Sequence, residues 1–450
     1  MTTRRILVVS GDILPLPGLP TTGAGLRAWG LGKGLEAHGH NVIFSMPALY
    51  LDKGVTVPKS ISNHAWEIGG VQRVIRRAQP DVVVFCHWPS VQIPRKPDIP
   101  TVLDFHGPHL LEREMQGYSR RPANIQEKLT AIRKADFFVC AGEKQRLYFL
   151  SWLLAAGIDL SDDVIASVPV SLSPELPEHE WIDAEPAFVY GGVFLPWQDP
   201  FNGLEVLVET ITARNWGQLK FFGGRHPGYA DQIGNLDRFD VLEAQLRQSP
   251  RVRLEGMVEH ARLIDEYRRA HVAMDVMGRN PERELAFTTR TVEYLWCGLP
   301  VIYHDYAELS GYIAEYEAGW VVDPEDRADI RQAIEEVLTC PEEVRRRGEN
   351  AQRLVREQLT WDRTIEPLDA FCRAPWQRDP ISDFRFQISD FGMQVARPAS
   401  HDPQSTMSKG ISTLAREALF HYRRGGVRRL AYYSLGFLQK RLDQTGDGNL

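Results

Sequence analysis

Four short stretches combine residue types that can do chemistry in a cleft. In TVLDFHGPHLLE (residues 101–112) an apolar run ends at Asp104 and leads into His106, Gly107 and Glu112. A histidine just past the carboxyl end of a strand can donate to or accept from a ligand near neutral pH. The competing reading, a histidine satisfied inside the protein, applies more strongly to His87, His109 and His226. No HxxxH or HExxH spacing accompanies His106, which argues against a metal site; no cofactor is expected.

In FVYGGVFLPWQDP (188–200) and LKFFGGRHPG (219–228), Gly191, Gly192, Gly223 and Gly224 end apolar runs, and Arg225 follows the second pair. Glycine pairs at strand ends let the backbone approach a bulky anion, and an arginine offers a planar fork to phosphate. Either pair alone fits a plain turn; both together point to a nucleotide site. In PTTGAGLRAWGLGKGLEAHGHNVIF (20–44), Gly23 and Gly25 open a helix whose positive end can meet a phosphate or a sugar hydroxyl. The spacing is not GxGxxG, and a strand-to-helix turn that needs small residues fits equally well.

The fourth stretch, FTTRTVEYLWCGLPVI (287–302), reads as a helix stopped by Gly298 and restarted as a strand at Pro300. Val292, Leu295 and Trp296 make its buried stripe, which leaves Thr289, Arg290 and Glu293 off that stripe near the N-terminus. An arginine there opposes the helix dipole unless an anion lies nearby, and a phosphate removes the conflict. Glu293 can accept hydrogen bonds from the two hydroxyls of a ribose. The plain alternative is a surface pair of Arg290 with Glu293, worth about 0.2–0.5 kcal/mol.

These stretches need elements to hold them. Apolar runs at residues 6–10, 41–46, 81–86, 101–105 and 137–140 read as strands, separated by helical segments such as 26–37 and 125–134. The alternation restarts with strands at 187–190, 219–222, 252–255, 272–276 and 300–303, and helices at 203–212, 240–246, 261–269, 289–296 and 327–338. The expected fold is α/β: two Rossmann-like domains, 1–170 and 187–375, facing across a cleft and joined by a proline-rich linker, 171–186. Beyond them, 376–409 reads as a linker of low order and 410–450 as a basic amphipathic helical tail. Its residues 410–442 can pack on the protein, touch a membrane surface or dock a partner.

Length and composition fit this plan. The 450 residues suffice for two domains, and 43% hydrophobic with 25% charged residues is ordinary for a folded protein. The net charge of -7 argues against nucleic acid as a general partner. Five scattered cysteines without a CxxC pair read as reduced thiols, so a cytoplasmic location is expected, and the basic tail allows peripheral contact with the inner face of the membrane. No run approaches the roughly 18 to 20 apolar residues that span a bilayer.

Taken in order, the four stretches resemble the retaining GT-B glycosyltransferases of family 4, over about residues 4–372. The most specific parts are VRLEGMVEHARLIDEYRRAHVAMDV (252–276), TRTVEYLWCGLPVI (289–302) and AGWVVDPED (318–326). The resemblance implies transfer of a sugar from a nucleotide-sugar donor to a glycan, lipid-linked or small-molecule acceptor, with retention of configuration. It implies that Glu293 holds the ribose, that Gly23 and Gly25 lie under the donor phosphates, and that His106 stands beside the transferred sugar. Asp104, Glu112 and Glu143 then fall on the acceptor side. The family's first glutamate falls on Leu285, with Glu284 one residue early, and its basic diphosphate clamp is absent, so Arg225 and Arg290 are assigned instead. A nucleotide-sugar 2-epimerase on the same fold and a non-catalytic sugar-nucleotide binder are the alternatives.

Overall fold

The computed structural model describes residues 2–51, 56–87, 93–117, 121–161, 163–225, 237–379 and 381. The expected low-order linker (376–409) lies almost wholly, and the helical tail (410–450) entirely, outside the described residues. So does His226.

Twelve strands are present among the described residues: β1 (Arg5–Val9), β2 (Asn41–Ser45), β3 (Val82–Cys86), β4 (Thr101–Asp104), β5 (Phe137–Cys140), β6 (Ile165–Ser167), β7 (Ala187–Val193), β8 (Gln218–Gly224), β9 (Val252–Leu254), β10 (Val272–Asp275), β11 (Val301–His304) and β12 (Gly319–Val322). They form two six-stranded sheets, ordered β2-β1-β3-β4-β5-β6 and β12-β11-β10-β7-β8-β9. All pairings are parallel. Helices cover both faces, so central strands such as VVVFC in β3 are buried at every position. Residues 1–380 cluster as one unit that holds both sheets.

Strand order reverses between β1 and β3 in the first sheet and between β7 and β10 in the second. Those switch points leave crevices outside the carboxyl ends of the strands, where ligands of doubly wound sheets bind. The pattern of the sequence locates ten of the strands to within a few residues. It misses β6 and β12, which are only three and four residues long, IAS and GWVV.

The glycine pairs lie at the ends of their strands and inside the ladder: Gly191 and Gly192 belong to β7, Gly223 and Gly224 to β8, and Gly192 stands opposite Gly223. One expectation is corrected: the second half does not own the chain to residue 375. Ile365, Leu368, Phe371 and Cys372 pack into the core of the first sheet with Ile6, Val8 and Val82, and Phe371 stacks on Phe137 at 4.7 Å. The chain thus crosses back, because helix Glu366–Arg373 carries an apolar face that only the first sheet covers. All five cysteines are free thiols.

Candidate active site

Helix Gly23–Ala37 starts beyond the carboxyl end of β1, and helix Thr289–Trp296 starts beyond that of β10. Their first turns meet: a Cβ added to Gly23 would stand 3.2 Å from Thr289 Oγ1. Thr22 caps the first helix by accepting from the Gly25 N–H at 3.3 Å, whereas Thr288 supplies no side-chain cap to the second. Neither first turn contains an acidic residue. Two positive helix ends therefore converge between the halves, an arrangement that favours an anion. Gly25 has a different reason to be glycine, since a Cβ there would overlap the carbonyl oxygen of Ile13.

Arg290 lies in this first turn but points inward. Its Nε is 3.4 Å from Asp275 Oδ1, its Nη1 donates to Tyr190 Oη and to the carbonyl of Gly191 at 3.1 Å each, and its Nη2 donates to Gln198. Burial alone would lower its pKa, but the neighbouring Tyr190 and Asp275 raise it, so the guanidinium stays charged. The conflict with the helix dipole is thus met by the protein's own anion: Asp275, fully buried at the end of β10, also accepts from Thr291 Oγ1 at 2.5 Å. One Nη2 N–H of Arg290 remains without a partner among the described residues, and 10% of the side chain is exposed.

Glu293 is not the surface partner of Arg290. It is 5% exposed, and its Oε1 pairs with His260 Nε2 at 2.5 Å. Burial lowers the pKa of His260, but the charge of Glu293 and the hydrogen bond to it outweigh that and raise it. The buried stripe of this helix is also wider than Val292, Leu295 and Trp296. Thr291, Glu293 and Tyr294 are buried too, while Trp296 is half-buried and donates to the Ser173 carbonyl at 2.8 Å.

The glycine pairs make room for protein groups. A Cβ on Gly191 would overlap the hydroxyl of Tyr267, one on Gly192 the guanidinium of Arg290, and one on Gly223 the carbonyl of Gly192. Gly191 N–H donates to Tyr294 Oη at 2.8 Å. Gly224 is held at φ +153, a conformation open to glycine. Arg225 forms a half-exposed pair with Asp240 at 2.8 Å, and no hydrogen bond or ion pair joins it to Arg290 or Glu293.

In the first half, His106 sits in the left-handed region at φ 58, just past β4. Burial lowers its pKa despite the opposing charges of Asp104 and Glu112, which leaves a neutral ring near pH 7. Asp104 is not an acceptor-side group. It is fully buried and held by Arg27 through Nε at 3.2 Å and Nη2 at 3.1 Å, while Arg27 Nη1 also donates to the Val168 and Pro169 carbonyls. Glu112 accepts from His109 at 3.1 Å. The Glu143 carboxylate points outward to Arg146 at 2.7 Å. The backbone N–H groups of Glu143 and Lys144 instead donate to Glu308 of the second half at 2.9 and 3.0 Å.

Several site residues escape the reading of the sequence. Glu284 is half-buried and its carboxylate is paired with Arg279 at 2.8 Å. The buried carboxylate on that helix is Glu282, 2% exposed, chelated by Arg283 at 2.5 and 2.8 Å. Asn280 and Pro281, which cap helix Pro281–Leu285, were the available signal for where that helix begins. His260, Asp275 and Glu308 carried no local signal, because their partners lie far away in sequence. No group of three metal-ligating side chains stands together among the described residues.

Comparison with known proteins adds to this geometry. Residues 178–354 match the family model described as glycosyl transferases group 1. A 115-residue stretch is 31% identical to D-inositol 3-phosphate glycosyltransferase from Gordonia bronchialis; it covers 25% of this chain and only 24% of that relative's length. Among solved structures, sucrose-phosphate synthase from Thermosynechococcus elongatus superposes with a TM-score of 0.63 at 17% identity, over 82% of this chain and 98% of that one. HepE from Anabaena in complex with UDP-glucose gives 0.54 at 13% identity, over 82% and 100%. The two facing parallel sheets are the GT-B fold of glycosyltransferases, and the second of them carries the match to glycosyl transferases group 1.

Proposed function

We propose that this chain is a glycosyltransferase that moves a sugar from a nucleotide-sugar donor to a hydroxylated acceptor with retention of configuration. The observation that carries the proposal is the meeting of two helix N-termini, at Gly23 and Thr289, with no acidic residue in either first turn and an arginine in the second. A diphosphate is the anion that fits there. Its negative charge grows as the bond from the anomeric carbon to the phosphate oxygen breaks, so fixed N–H dipoles and the free N–H of Arg290 stabilise the departing group. The new glycosidic bond forms on the same face, and the acceptor's proton passes to the departing phosphate oxygen.

Glu293 accepts from the ribose with its second oxygen while His260 holds the first. Neutral His106 offers a hydrogen bond to the transferred sugar. No metal enters this scheme; the helix ends and Arg290 supply the positive charge. That HepE was solved with UDP-glucose supports a nucleotide-sugar donor, and the D-inositol 3-phosphate enzyme supports a small hydroxylated acceptor. Among the described residues no helix is long and apolar enough to cross a membrane. The basic segment 410–442 is the proposed peripheral contact to anionic lipid on the cytoplasmic face, where a lipid-linked or glycan acceptor is presented.

The test is a panel of UDP-, GDP- and ADP-sugars at millimolar concentration with purified full-length protein. The expected result is a raised unfolding temperature with at least one of them, and release of nucleoside diphosphate only when an acceptor is added. Binding to none of them refutes the donor site, and an isomerised sugar without acceptor assigns the epimerase chemistry instead.

A further inference from the structure

The donor scheme leaves unused a line of polar side chains in the first half. Arg113 Nε donates to His109 Nε2 at 2.9 Å. An arginine N–H can only donate, so Nε2 must be the unprotonated nitrogen and the ring carries its hydrogen on Nδ1. That Nδ1–H then donates to Glu112 Oε2 at 3.1 Å. Arg113 is itself anchored, with Nη1 donating to Asn124 Oδ1 at 2.5 Å, and Asn124 is 8% exposed on the adjoining helix Arg121–Arg133.

The line ends in an unused atom. Glu112 Oε1 has no hydrogen-bond partner among the described residues, and the carboxylate is partly open, with 17% of the side chain exposed. Gly107 keeps that opening clear, because a Cβ there would stand 3.1 Å from Oε1. Helix Pro281–Leu285 of the second half packs against helix His109–Met115, so the opening faces the space between the halves. Arg283 on that helix spends its Nε and Nη2 on Glu282 and makes no ion pair with Glu112. Burial raises the pKa of Glu112, but the hydrogen bond from His109 and the charge of Arg283 lower it on balance, so the carboxylate is ionised.

We propose that Glu112 Oε1 accepts a hydrogen bond from a neutral hydroxyl of the acceptor, and that His109, Arg113 and Asn124 are positioning residues that fix that oxygen. An ionised carboxylate with its other oxygen already engaged selects a donor such as a sugar hydroxyl and repels a phosphate at the same place. This rests on the glycosyltransferase reading. It makes the acceptor neutral where it touches Glu112, unlike a substrate that would present a phosphate there.

The experiment uses full-length protein, the nucleotide sugar found in the donor panel, and methyl glucoside, galactoside and mannoside as acceptor probes, each with its 6-phosphate. Wild type should turn over a neutral glycoside in preference to its phosphate. Glu112→Gln and His109→Leu should raise the KM for that glycoside by about tenfold or more, the worth of one hydrogen bond to a charged group, with the KM for the nucleotide sugar unchanged. His109→Asn, whose amide N–H can stand near the position of Nδ1–H, should recover most of the loss. Nitrogen-15 histidine spectra should show the Nδ1–H tautomer at His109 in wild type.

An unchanged glycoside KM in folded Glu112→Gln overturns the proposal, as does the opposite tautomer or preference for the phosphates. Donor binding without turnover of any neutral glycoside overturns it too. Failure of every nucleotide sugar to bind takes down the glycosyltransferase reading itself and is seen before any glycoside is added.

Discussion

Replacing Lys128 by methionine should stabilise the protein, and more so at lower pH. Lys128 is fully buried, and its Nζ has no hydrogen-bond partner among the described residues. Four rings surround it, with Trp152 at 4.2 Å, Phe149 at 4.9 Å, Tyr148 at 5.1 Å and Phe105 at 5.9 Å from ring centroid to Nζ. Burial lowers its pKa from 10.5 to about 7, opposed only by the charge of Glu112. At about 1.4 kcal/mol per pH unit, that displacement makes the ammonium about 5 kcal/mol less favourable in the folded chain than in the unfolded one. Cation–π attraction to the cage, about 2 kcal/mol for a desolvated lysine over tryptophan, offsets part of this.

Methionine keeps the length and the apolar contacts of the lysine stem and has no charge to bury, so a gain of about 2–3 kcal/mol below pH 7 is expected. The sign follows from proton linkage. The folded pKa lies below the unfolded one, so between pH 7 and 10.5 the unfolded chain binds the extra proton and stability rises with pH. Urea unfolding of full-length wild type and Lys128→Met at pH 6, 7.5 and 9 measures both effects. The wild type should gain on the variant as pH rises. A variant less stable than wild type at pH 6, or with the same pH dependence, would show that the cage favours the ammonium and that the reasoning is wrong.

Three other perturbations test the site. Arg290→Ala should cost about 3–5 kcal/mol, because it strips the counter-charge from fully buried Asp275; adding Asp275→Asn should restore most of that stability but not turnover. Recovery of turnover in the double variant would remove Arg290 from the phosphate. His260 has a raised pKa through Glu293, so its pairing stabilises the fold fully below pH 6.5 and that contribution fades as pH rises through the raised value; thermal unfolding across pH 5.5–8.5 should lose this slope in His260→Gln, and an identical slope would contradict the pairing. Glu308→Ala removes an acceptor from the Glu143 and Lys144 N–H groups and should let the halves separate more readily, read as a larger radius of gyration in solution scattering; an unchanged radius would mean that this contact does not hold the halves together.

Much of the fold was legible because each central strand is a contiguous apolar run bounded by polar or glycine-rich turns, which is how strands buried on both faces read. The return of residues 365–372 to the first sheet was not, since an amphipathic helix shows which face is apolar but not which sheet will cover it. The site divides in the same way. Helix Thr289–Trp296 was found to its exact ends, but Arg290 and Glu293, read as lying off its buried stripe, both turn inward. Their partners, Asp275 and His260, were invisible, because a pairing made across a fold leaves no spacing in the chain. The glycine pairs misled for a related reason. Small residues signal that something approaches closely, and here it is Tyr267, Arg290 and a neighbouring strand.

Three of the buried acids follow one rule. Asp104 is matched by Arg27, Glu282 by Arg283 and Asp275 by Arg290, each acid 2% exposed or less. Replacing such pairs with apolar residues is often neutral or stabilising, so stability alone does not account for three of them at the ends of strands and in the helix beyond. What each pair does is fix a loop: Arg27 ties β4 to the Val168 and Pro169 carbonyls, and Arg290 ties β10 to β7. The Arg27 and Arg283 pairs are spent inside the protein, whereas Arg290 keeps one N–H for the cleft. Among the described residues the helix ends at Gly23 and Thr289 have no such partner, and Glu112 keeps one oxygen free. The cleft therefore presents a positive place and a separate negative place, which suits a substrate pair in which one partner leaves as an anion and the other arrives as an alcohol.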